Sequence, residues 1–321
     1  MRGDLGRSTR SHETFRRASC VIWHFLSLVV VALGCARASR NPSVNTATSA
    51  ASEIGAERNN MSVQKFVSKD GTPIACFKSG AGTPLVLVHG TTADHSRWAP
   101  VLAAFEKHFT VYACDRRGRG ESGDAAGYAM DREFEDIAAV IDGIGGPVDV
   151  LAHSYGALCS LEAAARARNL RRLVLYEPPI PAGVNIYPPG VIDRLQALLD
   201  AGDRDGVVSM FMAEVPRVPP DQLALMKSLP AWRARVSAAH TIVRELRADE
   251  HYSFDPSRVG GARAPTLLLL GGASPPFFKA AIDRVHSALP QSRIVVLPGQ
   301  THVAIDTVPE LFAREVLTFL Q

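Results

Sequence analysis

The chain reads as an α/β protein built on a mostly parallel, doubly wound sheet, with a helical cap inserted before the last two strands. Three observations predict this. Strand-like and helix-like segments alternate from about residue 62, several strand-like runs are apolar at almost every position, and residues 181–262 carry helical patterns without a strand. Alternation on this scale implies βαβ units, and runs apolar on both faces suit strands covered by helices on both sides.

Taken in order, "VQKFVSKDGTPIACFKSG" reads as two short strands around the turn "KDG". The buried strands follow as "PLVLVHG", "FTVYACD", "VDVLAHS", "LRRLVLYEPP", "PTLLLLGG" and "SRIVVLPG". In "DREFEDIAAVIDGI", Phe134, Ile137, Ala138, Ile141 and Ile144 repeat with helical spacing, and acids in the first turn favour the helix dipole. The last helix has Thr307 and Glu310 in capping-box spacing, with Pro309 inside its first turn. The insertion reads as "GVIDRLQALLDAG", "RDGVVSMFMAEV", "PDQLALMKSL" and "PAWRARVSAAHTIVRELRAD", punctuated by proline and glycine. Ligands of open α/β sheets bind at the carboxyl edge of the strands, so this cap should roof the pocket.

The formal charge of +3 comes from the N-terminal segment. Residues 1–60 hold 8 arginines and 4 acids, which leaves 27 Lys+Arg against 28 Asp+Glu in the remainder. A near-neutral body offers no electrostatic footprint for nucleic acid, so a small-molecule substrate is the expected partner. Arginines at 2, 7, 10, 16 and 17 precede "CVIWHFLSLVVVALG" and then "CARAS", the pattern of a secretory signal peptide. "ALGC" ending at Cys35 also resembles a lipoprotein box, with Ala32 where leucine is usual. Residues 1–38 are thus expected to be a leader, 39–60 a flexible linker and 61–321 the folded domain. Export follows from that reading, with any membrane anchoring confined to the leader; a cytosolic protein starting at Met61 is the alternative. Cys76, Cys114 and Cys159 have no metal-ligand spacing and no complete disulfide framework, and each reads as a small buried hydrophobe.

The chemistry centres on "LAHSYGA". A serine before a helix is commonly an N-cap, but Ser154 lies between a buried strand and a helix, flanked by the small residues Ala152 and Gly156. A nucleophile elbow requires this placement, G-x-S-x-G, with Ala152 replacing the first glycine. An oxyanion hole then needs the N–H after the serine, on Tyr155, and one from the loop in "LVLVHGTT", first Thr91 and second Thr92. His89 reads as a structural brace of that loop. His302, in "LPGQTHVAID", follows the last strand, where a general base must stand, and Ser154 before His302 is the expected chain order.

Together "LVLVHGTT", "CDRRGRGESG", "LAHSYGA", "YEPP" and "PGQTHVA" resemble the α/β-hydrolase superfamily from about residue 62 to the C-terminus. The likeness is to its small cofactor-free branch of esterases, carbon–carbon bond hydrolases, perhydrolases and methyl esterases. It implies a scaffolding role for Asp115, Arg117 and Ser122. It also implies an acid just after "TLLLLGG", where this chain has Ala273. Glu177, in "LYEPP", occupies a position some members use for the acid; it reads equally as a turn residue. Asp283 and Asp306 are less well placed.

The expected activity is hydrolysis of a small apolar ester or related carbonyl compound through an acyl-enzyme on Ser154, with His302 as base. Perhydrolysis and carbon–carbon cleavage are alternatives, and a non-catalytic binding protein is a third, favoured by Ala273. Histidines at 95, 153, 240, 251 and 286 lack ligand spacing, so neither metal nor cofactor is expected.

Overall fold

A computed structural model describes residues 61–321; the expected leader and linker lie outside them. Eight strands form one sheet: β1 (Ser62–Val67), β2 (Pro73–Gly80), β3 (Thr83–Val88), β4 (Phe109–Cys114), β5 (Val148–His153), β6 (Leu170–Tyr176), β7 (Thr266–Gly271) and β8 (Arg293–Leu297). Their order is β1-β2-β4-β3-β5-β6-β7-β8. β2 runs antiparallel to both neighbours, and every pair from β4 to β8 is parallel.

The period of two along the strands builds two cores. Val86, Val88, Val150, Ala152, Leu268 and Leu270 point to one face, where they meet α2 (Met130–Ile144), α3 (Tyr155–Ala164) and, through Ile282 and Val285, a later helix, Pro276–Ala288. Leu85, Leu87, Leu151, Leu267 and Leu269 point to the other face. There they pack on Val101 and Phe105 of α1 (Ala99–Glu106) and on Phe312 and Val316 of the last helix, Pro309–Leu320. All six residues of β5 and of β7 are buried, as the continuous apolar runs predict.

Between β6 and β7 the chain forms α4 (Val191–Asp200), α5 (Arg204–Glu214), α6 (Pro220–Ser228), α7 (Ala231–Ser237), α8 (Ile242–Glu250) and α9 (Pro256–Val259). The segment "PAWRARVSAAHTIVRELRAD" carries a helical pattern but forms two helices, with a break at Ala238. There the backbone passes through a 3₁₀ turn, and Thr241 bonds Ala238 O through both its N–H (2.9 Å) and its hydroxyl (2.6 Å). The helices after β7 are α10 (Pro276–Ala288), α11 (Ala304–Thr307) and α12 (Pro309–Leu320). Among the described residues no helix is long and apolar enough to cross a membrane.

Two expectations are corrected. Cys76 and Cys114 are not free thiols but a disulfide. The antiparallel register of β2 and β4 sets them directly opposite, with Cα atoms 3.9 Å apart, a pairing that spacing along the chain does not reveal. Cys159 remains a buried free cysteine whose thiol is pushed up well above its ordinary range by burial. The capping box before α12 does not form either. α11 takes Thr307 as its own last residue, so Val308, with no side-chain acceptor, stands at the N-cap; Thr307 Oγ1 donates instead to Gln300 Oε1 at 3.2 Å.

Candidate active site

Ser154 stands at the junction of β5 and α3 with φ 56° and ψ −128°, a left-handed strain that costs a non-glycine residue roughly 1–3 kcal/mol. Backbone bonds hold it there: its N–H donates to Tyr176 O at 2.8 Å, and its carbonyl accepts from Ala157 N at 2.8 Å and Leu158 N at 3.1 Å. Its side chain makes no capping bond, so the helix start uses the backbone of Ser154 and leaves the hydroxyl for the pocket. The small neighbours have a steric reason. A Cβ on Gly156 would lie 2.2 Å from His89 O, and one on Gly90 would lie 2.7 Å from Ser154 Cβ.

His302 lies in the turn between β8 and α11, 4% exposed, and is held on three sides. Its Nδ1 donates to Glu177 Oε2 at 2.5 Å. Its carbonyl accepts from His153 Nε2 at 3.1 Å, and the Phe278 ring stacks on the imidazole at 4.4 Å with 12° between planes. Tyr176, the last residue of β6, steadies the same turn by donating its hydroxyl to Thr301 O and accepting from Ala304 N at 3.3 Å. Glu177 follows directly, fully buried and at φ 48°. Its second oxygen accepts from Gly271 N at 2.7 Å, which ties the end of β6 to the end of β7. Ala273 carries no acid; its N–H donates to Gln300 O at 2.8 Å. A carboxylate on Nδ1–H fixes the tautomer whose Nε2 is free to take a proton. That nitrogen and Ser154 Oγ are not hydrogen-bonded among the described residues; both groups line one pocket, and such contacts commonly tighten with substrate.

Thr91 and Tyr155 line the same pocket. The Tyr155 side chain is turned away into a buried cluster, with its hydroxyl 2.9 Å from that of Tyr128 and Arg116 4.8 Å above its ring, so the backbone N–H is what it offers the pocket. The loop before Thr91 is braced by His89. Its Nδ1 donates to Gly90 O at 2.8 Å and its Nε2 accepts from Arg116 N at 3.1 Å, while burial and the Arg116 and Arg119 charges hold its pKa well below the usual range. Thr92, the second candidate, sits at φ 71°, and its hydroxyl accepts from Arg235 Nη1 at 2.8 Å.

Asp115, Arg117 and Ser122 act as loop braces. Asp115 accepts from the N–H groups of His95 (2.8 Å) and Glu121 (2.9 Å) and pairs with His95 Nδ1 at 2.8 Å. Asp94 lies close enough to that pair to complete a ligand-type cluster, but its Oδ1 accepts from Ser96 N at 2.9 Å. Arg117 pairs with Asp136, and Ser122 Oγ donates to Asp115 O at 2.6 Å. Asp306 is engaged by Arg97 at 2.6 Å, and Asp283 pairs with Lys279 at 2.5 Å, so neither meets His302. The helical insertion roofs the pocket with Phe211, Met212, Val215 and Leu246, and Phe277 and Phe278 of α10 close one side. Sequence reasoning missed Arg97 and Arg235, two buried cations on this wall. An arginine in an amphipathic helix reads as solvent-facing, and nothing local marks Arg235 as buried.

An elbow serine beneath a helical roof, at the carboxyl edge of a parallel sheet, is the frame of a hydrolase. The chain belongs to the alpha/beta hydrolase family, whose model matches residues 85–315. It is similar to a 2-(acetamidomethylene)succinate hydrolase of Mesorhizobium japonicum, 25% identical over 76% of this chain and 90% of that one. Among solved structures it resembles an alpha/beta hydrolase from Sphaerobacter thermophilus, 38% identical with a TM-score of 0.70, covering 80% of this chain and all (100%) of that one. An esterase from Rhodococcus shares the fold at 24% identity, with a TM-score of 0.64 over 81% of this chain and 98% of that one.

Proposed function

We propose that the protein is a serine hydrolase of small carbonyl compounds, carboxylic esters first, working through an acyl-enzyme on Ser154. The observation that carries this reading is the Glu177–His302 bond of 2.5 Å, which braces from behind a histidine that lines the same pocket as Ser154. His302 Nε2 takes the hydroxyl proton as Ser154 Oγ attacks the carbonyl, and Glu177 stabilises the imidazolium that results. The N–H groups of Tyr155 and Thr91 receive the developing oxyanion, each contributing about 3–4 kcal/mol because they are fixed before the charge forms. Collapse expels the alcohol, protonated by His302. Water, deprotonated by the same nitrogen, then releases the acid and restores the serine.

Amide or carbon–carbon cleavage by the same groups is the second reading. The Mesorhizobium relative favours its amide form, since the substrate in that protein's name carries an amide carbonyl. Labelling with a fluorophosphonate tests what both share: one adduct on Ser154 is expected, absent in Ser154→Ala, and an unlabelled native protein would overturn both. A panel of esters, amides and β-diketones, each with and without peroxide, separates the readings. The Cys76–Cys114 bond supports a place outside the reducing cytosol, in line with the expected leader.

A further inference from the structure

Arg235 lies on α7, 5% exposed, on the wall of the pocket that holds Ser154. The one hydrogen bond of its guanidinium among the described residues goes to a neutral acceptor, Thr92 Oγ1, at 2.8 Å. No carboxylate among the described residues pairs with it. The nearby acids bond other groups, Asp306 Oδ1 to Arg97 at 2.6 Å and Asp94 to Ser96 at 2.9 Å, and Asp306 Oδ2 has no hydrogen-bond partner. Arg97 lines the same wall, and its Nη2 is buried without a partner. Burial and the Arg97 charge, opposed by the charges of Asp306 and Asp94, push Arg235 down to about 10, which leaves it a cation at neutral pH. Burying a guanidinium without a counter-ion is costly, and every other buried cation of the charge networks has its carboxylate: Arg116 meets Glu133 and Glu245, Arg117 meets Asp136, and Arg119 meets Glu245.

We infer that Arg235 is a subsite for a substrate carboxylate, with the unpartnered Nη2 of Arg97 as a further donor, so the preferred substrate joins a short apolar chain to an anionic end. Thr92 adjoins Thr91 in the proposed oxyanion loop, so its bond to Arg235 sets the guanidinium on the same pocket as Ser154. A planar guanidinium fork suits a carboxylate, and the apolar walls exclude the water that would compete. The inference rests on the hydrolase reading and narrows its substrate class.

The test compares monoethyl glutarate with ethyl pentanoate, a neutral ester of similar length, on the native enzyme, Arg235→Gln and Arg235→Lys. The native protein is expected to favour the anionic ester in kcat/KM by at least tenfold. That ratio should collapse to about one in Arg235→Gln and survive in part in Arg235→Lys. A native ratio near one, or equal losses on both esters in Arg235→Gln, overturns the subsite and leaves Arg235 as a positioning residue for Thr92. A second arm needs no turnover: Ser154→Ala is expected to bind glutarate in calorimetry and Ser154→Ala/Arg235→Gln is not. Binding of equal strength in both proteins, or in neither, also overturns it. Failure of the hydrolase reading shows separately, as an unlabelled Ser154.

Discussion

Glu177 and Ser154 both occupy left-handed backbone conformations, at φ 48° and 56°, immediately after adjacent strands of the sheet. Strain at two neighbouring turns persists only where packing and hydrogen bonds over-determine it, and here the bonds are Glu177 to Gly271 N and His302, and Ser154 N to Tyr176 O. Glu177→Gln keeps an acceptor for Gly271 but turns an amide toward His302 Nδ1, which disfavours the productive tautomer. We expect kcat to fall about 10³–10⁴-fold with KM within a few-fold, measured by steady-state kinetics on an ester the native enzyme turns over. Gly90→Ala should lose about 10²–10³-fold in kcat/KM, the scale of one oxyanion donor, because its Cβ would displace the loop from Ser154; circular dichroism should still report the native fold. The residues of "LAHSYGA" and the histidine turn were legible because backbone geometry confines their composition. Glu177 was half legible: its place after β6 can be read, but its two hydrogen bonds join segments far apart in the chain. Arg235 was illegible, since its burial depends on how six helices settle over the sheet.

Helix α8 fastens the insertion to the body. Glu245 accepts from Arg116 at 2.7 Å and from Arg119, while Arg116 also reaches Glu133 of α2 at 2.6 Å. One turn further on, Asp249 is buried and accepts from the Tyr187 hydroxyl, and its Oδ1 is without a partner. Burial raises its pKa to about 7, with the charges of Glu245 and Glu250 adding to the effect and the Tyr187 bond opposing it. A carboxyl whose folded pKa is raised favours folding below its ordinary value of 3.8, and that contribution is lost as pH rises toward 7. Asp249→Asn keeps an acceptor for Tyr187 and removes the charge. The variant is therefore expected to match the native protein near pH 4 and to exceed it by a few kcal/mol above pH 7, read from urea midpoints at both pH values. Equal midpoints at pH 8 would show that the fold does not raise the pKa of Asp249. At this scale six strands were legible from apolar runs and β1 and β2 from the turn between them, although β8, read as buried on both faces, is an edge strand with most of its residues at least partly exposed. The break after α7 and the unused capping box were not, since competing local hydrogen bonds decided them.

Two cores on opposite faces of the sheet make the molecule, and the Cys76–Cys114 bond clamps its antiparallel margin, where β2 meets β4. Strand pairing between chain-distant segments is a whole-molecule property, which is why three cysteines in apolar runs looked like interchangeable hydrophobes. The bond closes a sequence separation of 38 residues, so its loss frees the unfolded chain and should cost about 2–4 kcal/mol. Cys76→Ala/Cys114→Ala is expected to unfold at correspondingly lower urea with the Ser154 site still labelled, because both sulfurs lie away from the pocket wall. The oxidation state follows the compartment. Protein exported by its native host should titrate two fewer thiols when denatured without reductant than after reduction, with Cys159 free in both measurements. Equal thiol counts before and after reduction would mean that the chain matures where thiols stay reduced, and would favour the cytosolic start at Met61 over export.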